Sequence, residues 1–381
     1  MAITVSVEAA SGQPYGSTLV WSGYSSKGSV HLPAGSGNYI VQAYSPVSLN
    51  VHPETGHPAN APAAMPASFN SLMEISTPWV SGTDATWTTR TSGFGTNQIR
   101  ALTYGEGVFV AGGYGGTLTT STNTITWTTQ TSTFGTTTIR ALIYGNGVFV
   151  AAGDSGQLRT STDAVTWTTR TSGFGTSVIY ALAYGNGIYV SGGDTGTITT
   201  STDAITWTTR TSGFGTSYVK AITYGKGLYV AGGQGGTLTT STDGITWTAR
   251  TSGFGTNLIN GLTYGNNTYV AVGNSGLLTT STDGITWTTR TTPFSTVVIL
   301  SVTYGNGLYV AAGSNGILCT STDAITWTSR TPSFGTGDMH ALVYGTGVYV
   351  TAGSTGTLTT LSPQGTPLTA FAFSVNNVTT I

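Results

Sequence analysis

The few ionisable side chains of this chain set the first question. Only 12 Lys and Arg and 13 Asp and Glu stand among 381 residues. Paired carboxylates could hydrolyse a glycosidic bond. Asp154, Asp194 and Asp338 are the acidic residues best placed to supply such a pair. His52, Glu54 and His57, in His-Pro-Glu-Thr-Gly-His, have spacing that could hold Zn or Ni. They lie in a Pro-rich stretch, where two solvated histidines are the commoner outcome. His31 and His340 have no partner nearby in sequence. The lone Cys319 cannot form an intrachain disulfide and reads as a small core residue. Arg90, Arg170, Arg210, Arg250, Arg290 and Arg330 each stand three residues after a Trp, and such regular recurrence marks a structural role. No Gly-rich loop opens a helix. No catalytic residue, metal or cofactor is therefore expected. Charged residues make up 7% of the chain, against about 25% for an ordinary soluble protein. The net charge of −1 gives no electrostatic footprint for nucleic acid or an anionic membrane.

The elements that must position these groups follow from the tryptophans. Trp87, Trp127, Trp167, Trp207, Trp247, Trp287 and Trp327 are spaced by 40 residues every time. A period of this size implies a solenoid, propeller or array. One unit decides between them. Val219–Tyr224, Leu228–Ala231, Thr237–Ser241 and Ile245–Arg250 read as four short strands, separated by Gly-rich turns. No segment has helical periodicity. A four-stranded meander repeated seven times predicts an all-β, seven-bladed β-propeller over residues 84–361. Its strands are named A to D, from the channel outwards. The repeat region opens with a lone D strand near Trp87 and closes with A, B and C only, at 340–344, 348–351 and 357–360. The first strand is thus expected to complete the last blade and remove the open edges. Asn146-Gly147, Asn186-Gly187 and Asn306-Gly307 suit two-residue hairpins with positive φ. Asp163, Asp203, Asp243, Asp283 and Asp323, with Asn123 and Asp84 in equivalent places, suit C–D turns by accepting backbone N–H bonds. Each Trp four residues on is expected to pack between blades.

Ser-Thr-Asp-Gly-Ile-Thr-Trp, at 241–247 and 281–287, resembles the Asp-box, or bacterial neuraminidase repeat, with one residue fewer before the Trp. The resemblance covers about residues 84–361. It implies a propeller of the kind found in sialidases, xyloglucanases, sorting receptors and photosystem assembly factors. It says little of function, because the box is a turn shared by many unrelated propellers. The sialidase arginine cluster, Tyr–Glu nucleophile pair and acidic donor have no counterparts here. Glu106, the one Glu of the repeat region, falls in a hairpin turn.

Comparison of the seven copies names a face. The A–B and C–D loops barely differ, whereas the B–C tips and strand-A starts do. The tips read Tyr114-Gly115, Asp154-Ser155, Asp194-Thr195, Gln234-Gly235, Asn274-Ser275, Ser314-Asn315 and Ser354-Thr355. One ring at the strand-A start reads Arg100, Arg140, Tyr180, Lys220, Asn260, Leu300 and His340. The ring two residues earlier includes Gln98, Tyr218 and Asp338. Strand A lines a propeller's channel, so these rings are expected around its mouth. Cationic, aromatic and amide side chains there suit sugar hydroxyls and stacking on a pyranose face. Drift at unconstrained positions would vary the same face.

Outside the repeats, residues 1–52 read as a small N-terminal β module, with strands expected at 3–9, 17–23, 28–33 and 37–44. Residues 53–83 read as a Pro/Ala-rich linker with a short element at 69–75, and 362–381 as a β tail needing a partner in the N-terminal module or another subunit. The start, Met1–Glu8, has no signal-peptide pattern, and no apolar run is long enough to span a membrane. A β anchor, a linker and a sugar-competent propeller resemble, in architecture, bacteriophage tail or capsid attachment proteins. The resulting expectation is a non-enzymatic virion protein, assembled in the host cytoplasm and acting outside. Its propeller would meet a host-surface glycan or receptor, and its N-terminal module other virion proteins. The alternatives are a scaffold propeller that docks another protein, and a glycosidase using Asp154 and Asp194.

Overall fold

The computed structural model describes residues 87–361 in full, and the backbone of six short strands at 3–7, 29–32, 39–43, 50–53, 71–73 and 371–373. The chain divides into two units, one of residues 1–83 with 364–381 and one of residues 84–363.

In the first unit, Ile3–Val7 pairs antiparallel with Tyr39–Ala43, and Ser29–Leu32 pairs in parallel with Asn50–Pro53. Ser71–Met73 pairs antiparallel with Phe371–Phe373. The element expected at 69–75 is thus a strand, and the C-terminal tail finds its partner there, within the stretch read as linker. The strand expected at 17–23, Asp84, Glu54 and His57 lie outside the described residues.

The second unit is a ring of seven four-stranded antiparallel sheets. The first blade has strand A at Ile99–Gly105, B at Val108–Gly113, C at Leu118–Ser121 and D at Thr128–Gln130. The pattern recurs every 40 residues up to the seventh blade, whose A, B and C are Met339–Gly345, Val348–Gly353 and Leu358–Leu361. Its D strand is Thr88–Arg90, in register Leu358 with Arg90 and Thr360 with Thr88. Arg90 Nε donates to Thr360 Oγ1 at 3.1 Å, and Ser92 Oγ donates to the Gly356 carbonyl at 2.6 Å. The other repeated arginines do the same within their blades, as Arg170 does to Thr160 at 2.9 Å and Arg330 to Thr320 at 2.8 Å.

The core lies between blades. Phe94, Ile99, Leu102, Phe109 and Trp127 of the first blade pack on Ala341, Val350, Ala352 and Leu358 of the seventh. Burying each of the larger aliphatic side chains contributes about 1.5–3 kcal/mol. Two contacts repeat around the axis. The ring of Tyr144 covers the α-carbon of Gly105, leaving no room for a Cβ, and Tyr104 covers Gly345 in the same way. That last contact joins the seventh blade to the first. Beside it, Tyr189, Tyr229, Tyr269, Tyr309 and Tyr349 are buried and donate their hydroxyls across the blade boundary to the carbonyls of Gly145, Gly185, Gly225, Gly265 and Gly305. Phe109 and Phe149 take that position in the first two blades and make no such bond.

The expected D strands are shortened. In each blade the Trp precedes strand D, which holds only three residues. The cause is the preceding acid or amide. Asp163 Oδ1 accepts from the backbone N–H groups of Val165 at 2.9 Å and Thr166 at 2.7 Å, so those groups are lost to a ladder. The Trp167 indole N–H then donates to the Ala164 carbonyl at 3.2 Å while the ring packs between the first and second blades. Cys319 is fully buried in strand C of the sixth blade, and burial pushes its thiol up to about 11, as a core residue requires.

Candidate functional site

The seven strand-A starts share a local irregularity. In every blade the pairing of strand A with strand B slips by one residue at the second position of strand A. A β-bulge leaves one residue out of the ladder and re-aims its side chain. The seven bulged residues are Arg100, Arg140, Tyr180, Lys220, Asn260, Leu300 and His340, the variable ring itself. Each is half-buried, while the residue before it is fully buried.

The bulged side chains meet across blade boundaries. Arg140 donates from Nε to Asp154 Oδ1 and from Nη2 to Asp154 Oδ2 at 3.2 Å, and its guanidinium carbon stands 5.6 Å from the centre of the Tyr180 ring. From the fourth blade, Lys220 Nζ stands 4.7 Å from the same ring centre. Tyr180 and Tyr218 have ring centroids 5.4 Å apart, tilted by 49°. Arg100 stands 5.2 Å from the Tyr114 ring centre. Asn260 Nδ2 donates to Asn274 Oδ1 and to the Ile299 carbonyl, both at 3.0 Å. His340 Nε2 lies 3.5 Å from Ser354 Oγ.

The electrostatics follow from this convergence. Burial, and then the charges of Arg140 and Arg100, pull Lys220 down to about 8. Burial and the charge of Arg100, with a smaller push from Lys220, hold His340 at about 4, although Asp338 opposes them. His340 is therefore neutral at pH 7. Burial works against the Arg140 charge, but the hydrogen bond and charge of Asp154 outweigh it and raise its pKa. Burial, helped by Asp194, raises the Tyr180 hydroxyl to about 12.

The surrounding loops are held fast. Each B–C tip is a single 3₁₀ turn whose first N–H reaches back to the residue two before the bulge, as Asp154 N does to the Thr138 carbonyl at 3.1 Å. Gly156 at the end of that turn has φ +62°, and a Cβ there would lie 2.2 Å from the Gly175 carbonyl oxygen of the D–A loop. Ser172 Oγ donates to the Gly156 carbonyl at 2.7 Å and completes the stitch. The tips thus present their side chains from a fixed backbone.

Arg100, Arg140, Tyr114, Asp154, Tyr180, Asp194, Tyr218 and Lys220 come together in one run over the first four blades. Asn260 and His340 stand on the same ring, in the fifth and seventh blades. The three carboxylates considered for hydrolysis are all engaged locally, Asp154 by Arg140, Asp194 by the Val178 backbone N–H at 3.0 Å and Asp338 by the Asn315 backbone N–H at 3.3 Å. Two features escaped sequence reasoning. Arg159 replaces a Thr on strand C, and its buried guanidinium donates to the Thr133 hydroxyl and carbonyl at 3.1 Å, anchoring the loop between the first two blades. Its departure from the repeat was the available signal. Ile125, Val165, Ile205, Ile245, Ile285 and Ile325 form an exposed apolar series in the C–D turns, where their β-branched type reads as the start of strand D.

The propeller fold is shared with known proteins. A family profile described as the DUF6242 beta propeller domain matches residues 215–344. No curated protein is similar in sequence. Among solved structures, YCF48 from Cyanidioschyzon merolae is 15% identical, with a TM-score of 0.59 over 74% of this chain and 100% of that one. YCF48 bound to D1 peptide is 15% identical, with a TM-score of 0.60 over 74% of this chain and 96% of that one. Virginiamycin B lyase from Staphylococcus aureus is 14% identical, with a TM-score of 0.66 over 72% of this chain and 98% of that one. At such identities the likeness concerns the propeller fold and carries no activity across.

Proposed function

We propose that this chain is a non-enzymatic recognition protein whose propeller binds a host-surface glycan or receptor at the channel mouth, as part of a virion. The observation that carries the reading is the repeated bulge. Seven blades keep the same irregular backbone at one position, yet six different residue types occupy it. A fixed backbone presenting varied side chains is how rigid scaffolds support recognition. Tyr180 and Tyr218 offer the stacking surface, and Asn260, Asn274 and Ser354 offer neutral hydrogen-bonding groups around the rim.

The test is a glycan array and whole-cell binding with the full chain. Saturable binding that falls at least tenfold in Tyr180→Ala and Tyr218→Ala supports the reading. Release of free sugar would instead favour the glycosidase alternative. A second reading, a scaffold that docks another protein, is favoured by the structural likeness to YCF48 bound to D1 peptide. Under that reading the protein ignores glycans and captures a peptide at the same mouth.

A further inference from the structure

We propose that the channel mouth selects an acidic saccharide, whose carboxylate or sulfate is taken between Arg100 and Lys220 while a pyranose ring lies on Tyr180 and Tyr218. This rests on the recognition reading above and names its ligand class.

The argument begins with which charges are already matched. Arg140 is neutralised by Asp154. Arg100 and Lys220 have no such partner: among the described residues neither side chain makes a hydrogen bond, and the Arg100 Nε is buried without an acceptor. An unpaired cation withdrawn from water is costly. Arg140 and Lys220 both stand against the Tyr180 ring, 5.6 and 4.7 Å from its centre, on the same ring of bulges as Arg100, and the charges of Arg140 and Arg100 lower the Lys220 pKa. The nearby carboxylates do not pair with either cation: Asp194 accepts from Val178 N at 3.0 Å and acts on the Tyr180 hydroxyl, and Asp338 accepts from Asn315 N at 3.3 Å. An incoming oxyanion would therefore meet two unmatched cations, with their donors free to form charge-assisted hydrogen bonds.

A bare anion would not need the adjoining aromatic pair. Lys220 lies over one face of Tyr180, and Tyr218 stands beside that ring at 5.4 Å. An apolar wall with a cation at its edge fits a sugar ring carrying an acidic substituent.

Calorimetry on the full chain with three probes tests this: oligogalacturonate for a carboxylate, sulfated dextran oligosaccharide for a sulfate, and neutral dextran oligosaccharide. The expected result is saturable binding of one acidic probe and none of the neutral one, weakening as NaCl is raised. Arg100→Gln and Lys220→Gln should each weaken it at least tenfold, with circular dichroism and thermal midpoint unchanged enough to show an intact fold. Arg100→Lys should restore part of the loss. Equal binding of acidic and neutral probes, or acidic binding indifferent to both substitutions, overturns the proposal and leaves the recognition reading standing. Binding to cells with no affinity for any acidic saccharide also overturns it. Absence of binding to every glycan and cell overturns both.

Discussion

Arg140 and Asp154 form the one ion pair among the described residues, joining the bulge of strand A to the B–C tip of the same blade through two hydrogen bonds. The side chains are about a quarter exposed (24% and 27%), so water screens the pair and its worth is about 1 kcal/mol or less. Its larger effect is on charge. Asp154→Asn keeps the shape, removes the anion and adds an unmatched cation to the mouth. Thermal unfolding should shift by only a few degrees. Affinity for an acidic saccharide should rise severalfold at low salt and converge with the parent at high salt. If the protein were a glycosidase using Asp154, the same substitution would abolish sugar release, so one variant separates the two readings.

Closure of the ring has an equally direct test. Gly225 lies under the ring of Tyr264, and Gly345 lies under that of Tyr104, from the far end of the repeat region. A Cβ would meet the aromatic carbons at 2.1 Å in the first case and 2.3 Å in the second. Gly225→Ala and Gly345→Ala should each force blades apart and cost about 1–3 kcal/mol or more in urea unfolding. In an open array Gly345 would face no tyrosine, and its substitution would be silent. Equal losses mark a closed ring.

The repeat made the fold legible, because four β-rich runs punctuated by Asn-Gly and Asp turns allow few other arrangements. The offset between Trp87 and the strands ending at 360 likewise told where the ring closes. Strand D was overestimated, since composition cannot show that Asp243 draws the N–H groups of Ile245 and Thr246 into a turn, both at 2.8 Å. At the mouth, variation among copies picked out Arg100, Arg140, Tyr180 and Lys220. Their meeting depended on a bulge that has no residue signature of its own, because a bulge is defined by register against strand B. The stitching of Gly156 to Gly175 was hidden for a related reason: it joins loops 19 positions apart whose glycines each look like ordinary turn residues.

The Asp turns predict how the protein responds to acid. Asp163, Asp203, Asp243 and Asp283 are held at about 2 by hydrogen bonds from the two backbone N–H groups that follow and from a Ser hydroxyl. Their folded pKa lies below the unfolded value of about 3.9. The stability they contribute is therefore present above pH 4 and is lost as pH falls toward 2. Asn123 makes the same two backbone bonds, both at 2.9 Å, without titrating. Replacing the four aspartates by Asn should leave the thermal midpoint near pH 7 within a few degrees and flatten its decline between pH 4 and 2. An unaltered acid profile would mean that other carboxylates govern acid unfolding. The turns are exposed, so the gain per site is small, and the effect is read from the combined variant.

The two phenylalanines in the tyrosine series offer the last prediction. Phe149 packs against Tyr144 with centroids 4.6 Å apart, almost as Tyr189 packs against Tyr184 at 4.5 Å. The preceding blades are also equivalent, so a hydroxyl on Phe149 would point at the Gly105 carbonyl as that of Tyr189 points at Gly145. Tyr229 shows that the site can serve two acceptors, since its hydroxyl also reaches the Ile188 carbonyl at 2.9 Å. Phe149→Tyr should therefore add a buried hydrogen bond worth about 1 kcal/mol. The reverse change, Tyr229→Phe, should cost at least as much, because it leaves carbonyls of the A–B turn without their donor. In a domain of this size such a change moves the thermal midpoint by about 1–3 °C. A gain in the first variant and a loss in the second would establish the tyrosine hydroxyls as the bonds that hold neighbouring blades together. A loss in both would show that the space behind Phe149 is closed to an oxygen atom.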